Sequence, residues 1–359
     1  MKRAQISIFE IKIIIYIKYE TMSMLIGRAP LRISFIGGGT DLEEYHKKYD
    51  GYSISYTINK YTYVIAKLRK DDKLQGFSPD FASHLTPKKY SSTRILQGHE
   101  IIIMGLRYMK FRKGIDMYLS ADVEPNSGLG ASSSLTTNFV NVISYLQGKK
   151  IAPGKIAMKA YKIGHDILKW GIGKQDEHAS AFGGLNLYRF TKNKVFVKPI
   201  NLKKSTLKEL QNCSILFHLG DRKHSMGILQ SQINAINKSN KTTMSSLHKA
   251  KELTLEMHDA LKENDLTKFG DVLDRGWKAK QNYTKGVSNS RIEMVSKKAI
   301  ENGAIALKVT GAGGGGHLFI YAKPSKHDSI IKSLKKLGVN HVDFKYQNVG
   351  AKVFDINNL

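Results

Sequence analysis

Apolar residues recur with two periods along this chain. Residues 24–27 and 31–36 form short apolar stretches around Pro30, and residues 52–68 are rich in β-branched and aromatic side chains with partial alternation at Tyr56, Ile58, Tyr61, Tyr63 and Ile65; period two predicts strands. Residues 118–123 predict another strand, closed by Glu124-Pro125 because proline cannot donate to a ladder. Leu135, Phe139, Val142, Ile143 and Leu146 then recur at helical spacing up to Gly148, a suitable stop. Residues 185–190 and 195–200 read as strands, and residues 213–219 form an apolar run entering Gly220-Asp221-Arg222-Lys223-His224-Ser225. Residues 226–270 are mostly helical in pattern, with Leu253, Met257 and Leu261 four apart. Two strand-like runs, 304–310 and 318–322, flank a run of small residues at 311–316. Strands and helices interleave as in an α+β protein, with a second domain expected from about residue 205.

The length of 359 residues suits two such domains. Residues 24–204 are assigned to the first and 205–359 to the second. Residues 1–23 are expected to be dispensable, with Met22 or Met24 as the working start. Glu10, Lys12 and Lys18 interrupt their isoleucine-rich run, so neither a signal peptide nor a membrane span is expected, and an extra edge strand is the alternative. The lone cysteine, Cys213, excludes an internal disulfide and a cysteine-built zinc site, and fits a cytoplasmic setting. Fifty-seven basic against 30 acidic residues give a net charge of +27. That charge attracts anions, but the lysines are scattered and nucleic-acid recognition modules are missing. Phosphorylated small molecules are the expected partners; neither nucleic acid nor membrane is, and the chain is taken as a monomer or homodimer.

Three segments carry candidate chemistry. The first, Pro125-Asn126-Ser127-Gly128-Leu129-Gly130-Ala131-Ser132-Ser133-Ser134, lies between a strand and an amphipathic helix. Glycines let backbone N–H groups turn toward a bulky anion, and the helix adds unpaired N–H groups and the positive end of its dipole. Its serine hydroxyls either meet phosphate or Mg²⁺, or cap the helix. The spacing matches neither the Gly-Lys-Ser/Thr phosphate loop nor a dinucleotide fingerprint. The second, Arg28 to Asp41, puts Leu31, Ile33 and Phe35 on one strand face and Arg32 and Ser34 on the other, then delivers Thr40 and Asp41 through Gly37-Gly38-Gly39. Asp41 suits a hydroxyl acceptor or the cap of a helix over 42–48. The third is the glycine-dense run at 311–316.

Together and in this order, Ala29-Pro30-Leu31-Arg32, the loop from Pro125 to Ser133 and the run from Gly311 to Gly315 resemble the GHMP kinases. The resemblance runs from about residue 24 to the C-terminus and implies a two-domain α+β kinase fold with the active site in the cleft between the domains, and ATP with Mg²⁺ as cofactors. Arg28 to Ser34, the Gly-Gly-Gly-Thr-Asp turn and Gly173-Lys174-Gln175-Asp176-Glu177-His178 are most similar to the heptose 7-phosphate kinases of that superfamily. Galactokinases carry Gly-Glu-His-Thr-Asp at the first turn, and fucokinases a turn nearer to this one.

By this resemblance Asp176 is the catalytic aspartate, with Arg32 and Lys174 balancing charge around it. Residues 125 and 127–134 hold the nucleotide phosphates. Ser132 and Asp166 bind Mg²⁺, while Ala131 stands where relatives have a first serine and Asp166 where many have glutamate. Gly38, Gly39, Thr40 and Asp41 face the sugar, as do Arg222, Ser225, Thr310, Gly311 and Gly313. The implied reaction phosphorylates the anomeric hydroxyl of a heptose 7-phosphate. A kinase of an unphosphorylated sugar such as fucose or galactose, and a catalytically silent sugar sensor, are the alternatives.

Overall fold

The computed structural model describes residues 24–89, 93, 95, 98–220 and 225–356, so residues 1–23 and Arg222 lie outside it. The first half of the chain builds β1 (Leu25–Ile36), α1 (Glu43–Tyr49), β2 (Gly51–Leu68), β3 (Lys73–Ser78), β4 (Ser83–Lys89), α2 (Glu100–Tyr108), β5 (Ile115–Ala121), α3 (Ala131–Leu146), α4 (Pro153–Tyr161), α5 (Gln175–Phe182), β6 (Leu185–Phe190) and β7 (Val195–Pro199). The second half builds α6 (Lys204–Asn212), β8 (Ser214–His218), α7 (Ser225–Asn237), α8 (Lys241–Lys262), α9 (Leu266–Gln281), α10 (Ser290–Glu301), β9 (Ala304–Val309), β10 (His317–Ala322), α11 (His327–Lys335), β11 (Asn340–Val342) and β12 (Lys352–Asp355).

Among the described residues an eight-stranded sheet runs β12-β1-β2-β5-β3-β4, with β6 on β2 and β7 on β6. β2 is long enough to serve two partners: Gly51 to Tyr56 pair with β6, and Thr62 to Leu68 with β5. A four-stranded antiparallel sheet, β11-β8-β10-β9, forms the second unit. The chain then returns to the first sheet. β12 pairs antiparallel with the start of β1, Leu25 opposite Asp355, so the last stretch of residues 205–359 adds to the sheet of the opposite unit.

The alternation in β1 decides where the cleft lies. Leu31, Ile33 and Phe35 are buried in one core with Leu253, Met257 and Leu261 of α8 and Phe269 and Leu273 of α9. Phe35 meets Phe269 edge-on at 5.1 Å between centroids and Phe319 of β10 at 5.4 Å, an arrangement that fixes the two units against each other. The opposite face keeps Arg32 and Ser34 for the polar side. A second core forms where Leu135, Phe139, Val142, Ile143 and Leu146 of α3 cover the sheet.

The helical stretch expected over 226–270 is three helices. Asn240 accepts the Thr243 N–H and Asp265 the Lys268 N–H, and each of these caps starts a new helix where the pattern alone reads as continuous. Among the described residues no helix is long and apolar enough to cross a membrane.

Candidate active site

A cleft of about 450 Å³ opens between the two units, lined by parts of all three sequence segments. The phosphate loop ends on Gly130, the N-cap of α3, at φ 78°, a left-handed conformation that favours glycine. No side chain caps the helix. Its first backbone bond is Ser134 N–H to Gly130 C=O, leaving the N–H groups of Ala131, Ser132 and Ser133 unused at the cleft wall, as an anion requires.

The three consecutive serines divide their work. Ser132 is exposed at the cleft. Ser133 lies at the wall, but its hydroxyl donates to Glu177 Oε1 at 2.8 Å. Ser134 is fully buried and its hydroxyl reaches the carbonyls of Ala29 and Pro30 at 3.2 Å, so it ties α3 to β1 and touches no phosphate. Leu129 likewise sits in the core and anchors the loop from below, its carbonyl accepting the Arg32 N–H. Pro125, Ser127 and Gly128 line the cleft.

Arg32 is 4% exposed and organises the centre. Its Nε and Nη2 donate to the two carboxylate oxygens of Asp176 at 2.8 and 2.6 Å, and its Nη1 donates to Gly128 C=O at 2.7 Å. One guanidinium thereby fixes both the phosphate loop and the carboxylate, a planar fork no other side chain supplies. Gln175 extends the network: its Nε2 donates to Asp176 Oδ1 at 3.3 Å and its Oε1 accepts from Ser34 at 3.0 Å. Lys174 does not join it, contrary to the sequence expectation. Its ammonium lies 5.2 Å from the centre of the Tyr161 ring, among Glu43, Lys47 and Asp166, and burial pushes its pKa down.

Asp41 faces the same cleft at the end of the glycine turn. It does not cap α1; its oxygens accept from the N–H of Gly39 at 2.8 Å and of Gln175 at 3.2 Å, which joins the turn to the start of α5. Burial, and then the Asp176 charge, raise its pKa above the usual carboxylate range against those two bonds. Gly38 and Gly39 line the cleft beside it. Thr40 is buried behind the turn, its hydroxyl 2.8 Å from the carbonyls of Gly37 and Tyr52 and accepting the Tyr52 N–H, so it holds the turn and does not face a ligand.

From the second unit, Gly311 and Ala312 reach the cleft. Thr310 is buried, with its hydroxyl donating to His317 C=O, and a Cβ on Gly313 would run into the Val287 backbone; both residues shape the hairpin from behind. The hairpin presses on the phosphate loop, with His317 Nδ1 at 2.8 Å from Ser127 C=O. Ser225 opens α7.

Comparison with known proteins gives matches to two family models, described as the GHMP kinases N terminal domain over residues 99–184 and GHMP kinases C terminal over residues 257–340. A D-glycero-alpha-D-manno-heptose 7-phosphate kinase of Campylobacter jejuni is 30% identical over 338 residues, covering 92% of this chain and 98% of the relative. This chain is a GHMP kinase. A solved D-glycero-D-manno-heptose 1-phosphate kinase from Bacteroides thetaiotaomicron superposes with a TM-score of 0.76 at 24% identity, covering 92% of this chain and 98% of its own. The L-fucokinase/L-fucose-1-P guanylyltransferase of Bacteroides fragilis is 24% identical over 339 residues, 83% of this chain and 34% of that protein. The protein is thus an ATP-dependent phosphotransferase with an alcohol group as acceptor, a sugar kinase of the GHMP fold.

The cleft of this GHMP kinase and the layer directly behind it hold residues that sequence reasoning missed. Lys308 of β9 is buried and donates to Ser34 C=O at 2.7 Å, its pKa driven well down by burial and by the neighbouring Lys280 and Arg32 charges. Lys280 lines the cleft with its ammonium on Gly311 C=O. Nothing in the sequence separates these two from the other basic residues. Phe81 and Gly98 line the cleft as well, an apolar surface suited to a nucleotide base. Asp166 is absent from the lining. It is 53% exposed on its side chain and accepts from His165 Nδ1 at 2.8 Å, so the expectation that it ligates a metal at the phosphate loop is not met by its position.

Glu177 is the second missed group. It is fully buried with Oε2 unpartnered, and burial first, then the Asp176 charge, raise its carboxyl from the ordinary 4.5 to about 8 against the Ser133 bond. Between about pH 4.5 and 8 the folded protein therefore holds a proton the unfolded chain has lost, so this group's contribution falls as pH rises through that window. Glu177→Gln keeps the shape and removes the ionisation. We expect it to stabilise the protein by about 1–3 kcal/mol at pH 8.5 and to change little at pH 4.5. Thermal midpoints at the two pH values check this; a variant destabilised equally at both contradicts it.

Proposed function

We propose that this kinase transfers the γ-phosphate of ATP to the anomeric hydroxyl of D-glycero-D-manno-heptose 7-phosphate, giving the 1,7-bisphosphate for nucleotide-activated heptose. The observation that carries the reading is the Arg32–Asp176 pair, set between the free N–H groups of α3 and the Asp41 turn. Triphosphate bound on the helix end points its γ-phosphorus at Asp176, and a sugar held by Asp41 presents a hydroxyl to the same carboxylate. The hydroxyl oxygen forms the new P–O bond, the bond to ADP breaks, and Asp176 orients the hydroxyl and receives its proton. Arg32 offsets the charge that accumulates. Gly38, Gly39 and Asp41 bind the sugar, and the cationic loop containing Arg222 takes its 7-phosphate.

Mg²⁺ fits this wall through the exposed hydroxyl of Ser132. Bound there, it neutralises β- and γ-phosphate charge. Reliance on ATP and a phosphorylated sugar places the enzyme in the cytoplasm.

The choice of heptose rests on the similarity to the Campylobacter relative over nearly its whole length. A coupled ADP-release assay over heptose 7-phosphate, heptose, fucose and galactose tests it. The expected result is highest kcat/KM on the heptose 7-phosphate. Faster turnover of fucose or galactose overturns the substrate, and no turnover on any sugar favours a sensor.

A further inference from the structure

Gln232, on α7 of the second unit, lines the sugar end of the cleft and is 3% exposed, yet its amide nitrogen Nε2 has no hydrogen-bond partner. A buried donor without a partner costs about 1–3 kcal/mol, and a ligand that supplies an acceptor removes that cost. The amide rests against the glycine turn: a Cβ on Gly39, whose φ is 97°, would come within 2.3 Å of Nε2 and push the amide aside. The same Gly39 N–H holds Asp41. A carboxyl group and an amide donor thus meet at one end of the cleft from opposite units. Carbohydrate hydroxyls, which accept and donate at once, satisfy both.

We propose that Gln232 is a specificity-determining residue for the acceptor sugar, its amide donating to a hydroxyl oxygen of the sugar that Asp41 also binds. The inference rests on the sugar-kinase reading of the cleft but not on which sugar is the substrate.

The test uses the full chain and whichever sugar the wild-type enzyme phosphorylates. Gln232→Leu is expected to raise the KM for sugar about 5- to 150-fold, the range that 1–3 kcal/mol corresponds to, with the KM for ATP within about twofold. Gln232→Glu, near in shape, is expected to lose at least as much, because a carboxylate cannot donate and repels Asp41. Against a set of monodeoxy sugars, one analogue should be used equally well by wild type and Gln232→Leu. Sugar-induced shifts in thermal midpoint, without turnover, provide a readout for variants too slow to assay. An unchanged KM for sugar, an equal rise for ATP, or a loss that appears only with phosphorylated sugars overturns the proposal. If the wild type prefers an unphosphorylated sugar, the heptose assignment fails while Gln232 is still tested on that sugar.

Discussion

Asp176→Asn is expected to lower kcat by about 10³-fold or more while ATP affinity stays within about threefold. A carboxylate positioned to accept a proton contributes about 10²–10⁴, and here it also orients the attacking hydroxyl. Nucleotide affinity depends on other groups: the N–H donors of Ala131, Ser132 and Ser133 belong to α3 and its glycine loop. Those donors stay in place because Arg32 still donates to Gly128 C=O through Nη1 when its Asp176 partner becomes an amide. Single-turnover ADP release and calorimetric titration with a non-hydrolysable ATP analogue separate the two effects. Wild-type velocity in the variant, or loss of nucleotide binding in step with velocity, contradicts the assignment.

Arg32→Met is expected to lower kcat by about 10²-fold or more and to cost about 2–4 kcal/mol of stability. Methionine fills the volume but leaves Asp176 without its two donors and Gly128 C=O without its one. Arg32 is buried and Asp176 half-buried, so removing the arginine strands a partly desolvated charge, which is why the expected cost exceeds that of a surface ion pair. Arg32→Lys should rescue little of the activity, since a single ammonium cannot span two carboxylate oxygens and a carbonyl at once. Steady-state kinetics with thermal unfolding of both variants checks this. Full activity in the lysine variant would show that charge alone matters and that the fork geometry does not.

The alternation in β1 was enough to predict which side chains face the cleft, because strand geometry leaves only two faces. The phosphate loop was legible for a similar reason: a glycine run between a strand and an amphipathic helix must end at exposed N–H groups. What the sequence hid was direction on helices. Lys174 and Asp176 are two residues apart at the start of α5, and positions i and i+2 point to different sides, so a charge expected beside Asp176 lies over Tyr161 instead. Ser132, Ser133 and Ser134 diverge in the same way, one toward the cleft, one toward Glu177 and one into β1. The resemblance alone puts Asp166 at the metal; the residue lies in the π-helical turn Lys162–Ile167, where its carboxylate meets His165. Gln232 and Lys280 come from the second unit, and the docking of Phe35 against α9 and β10 brings them to the cleft.

Phosphorus-coupled NMR of the product formed from ATP and D-glycero-D-manno-heptose 7-phosphate tests the central claim most directly. The proposed reaction predicts a second phosphorus coupled to the anomeric proton, with the original phosphate retained on carbon 7. A new phosphate on any other carbon, or an unchanged sugar spectrum alongside turnover of another sugar, would contradict it.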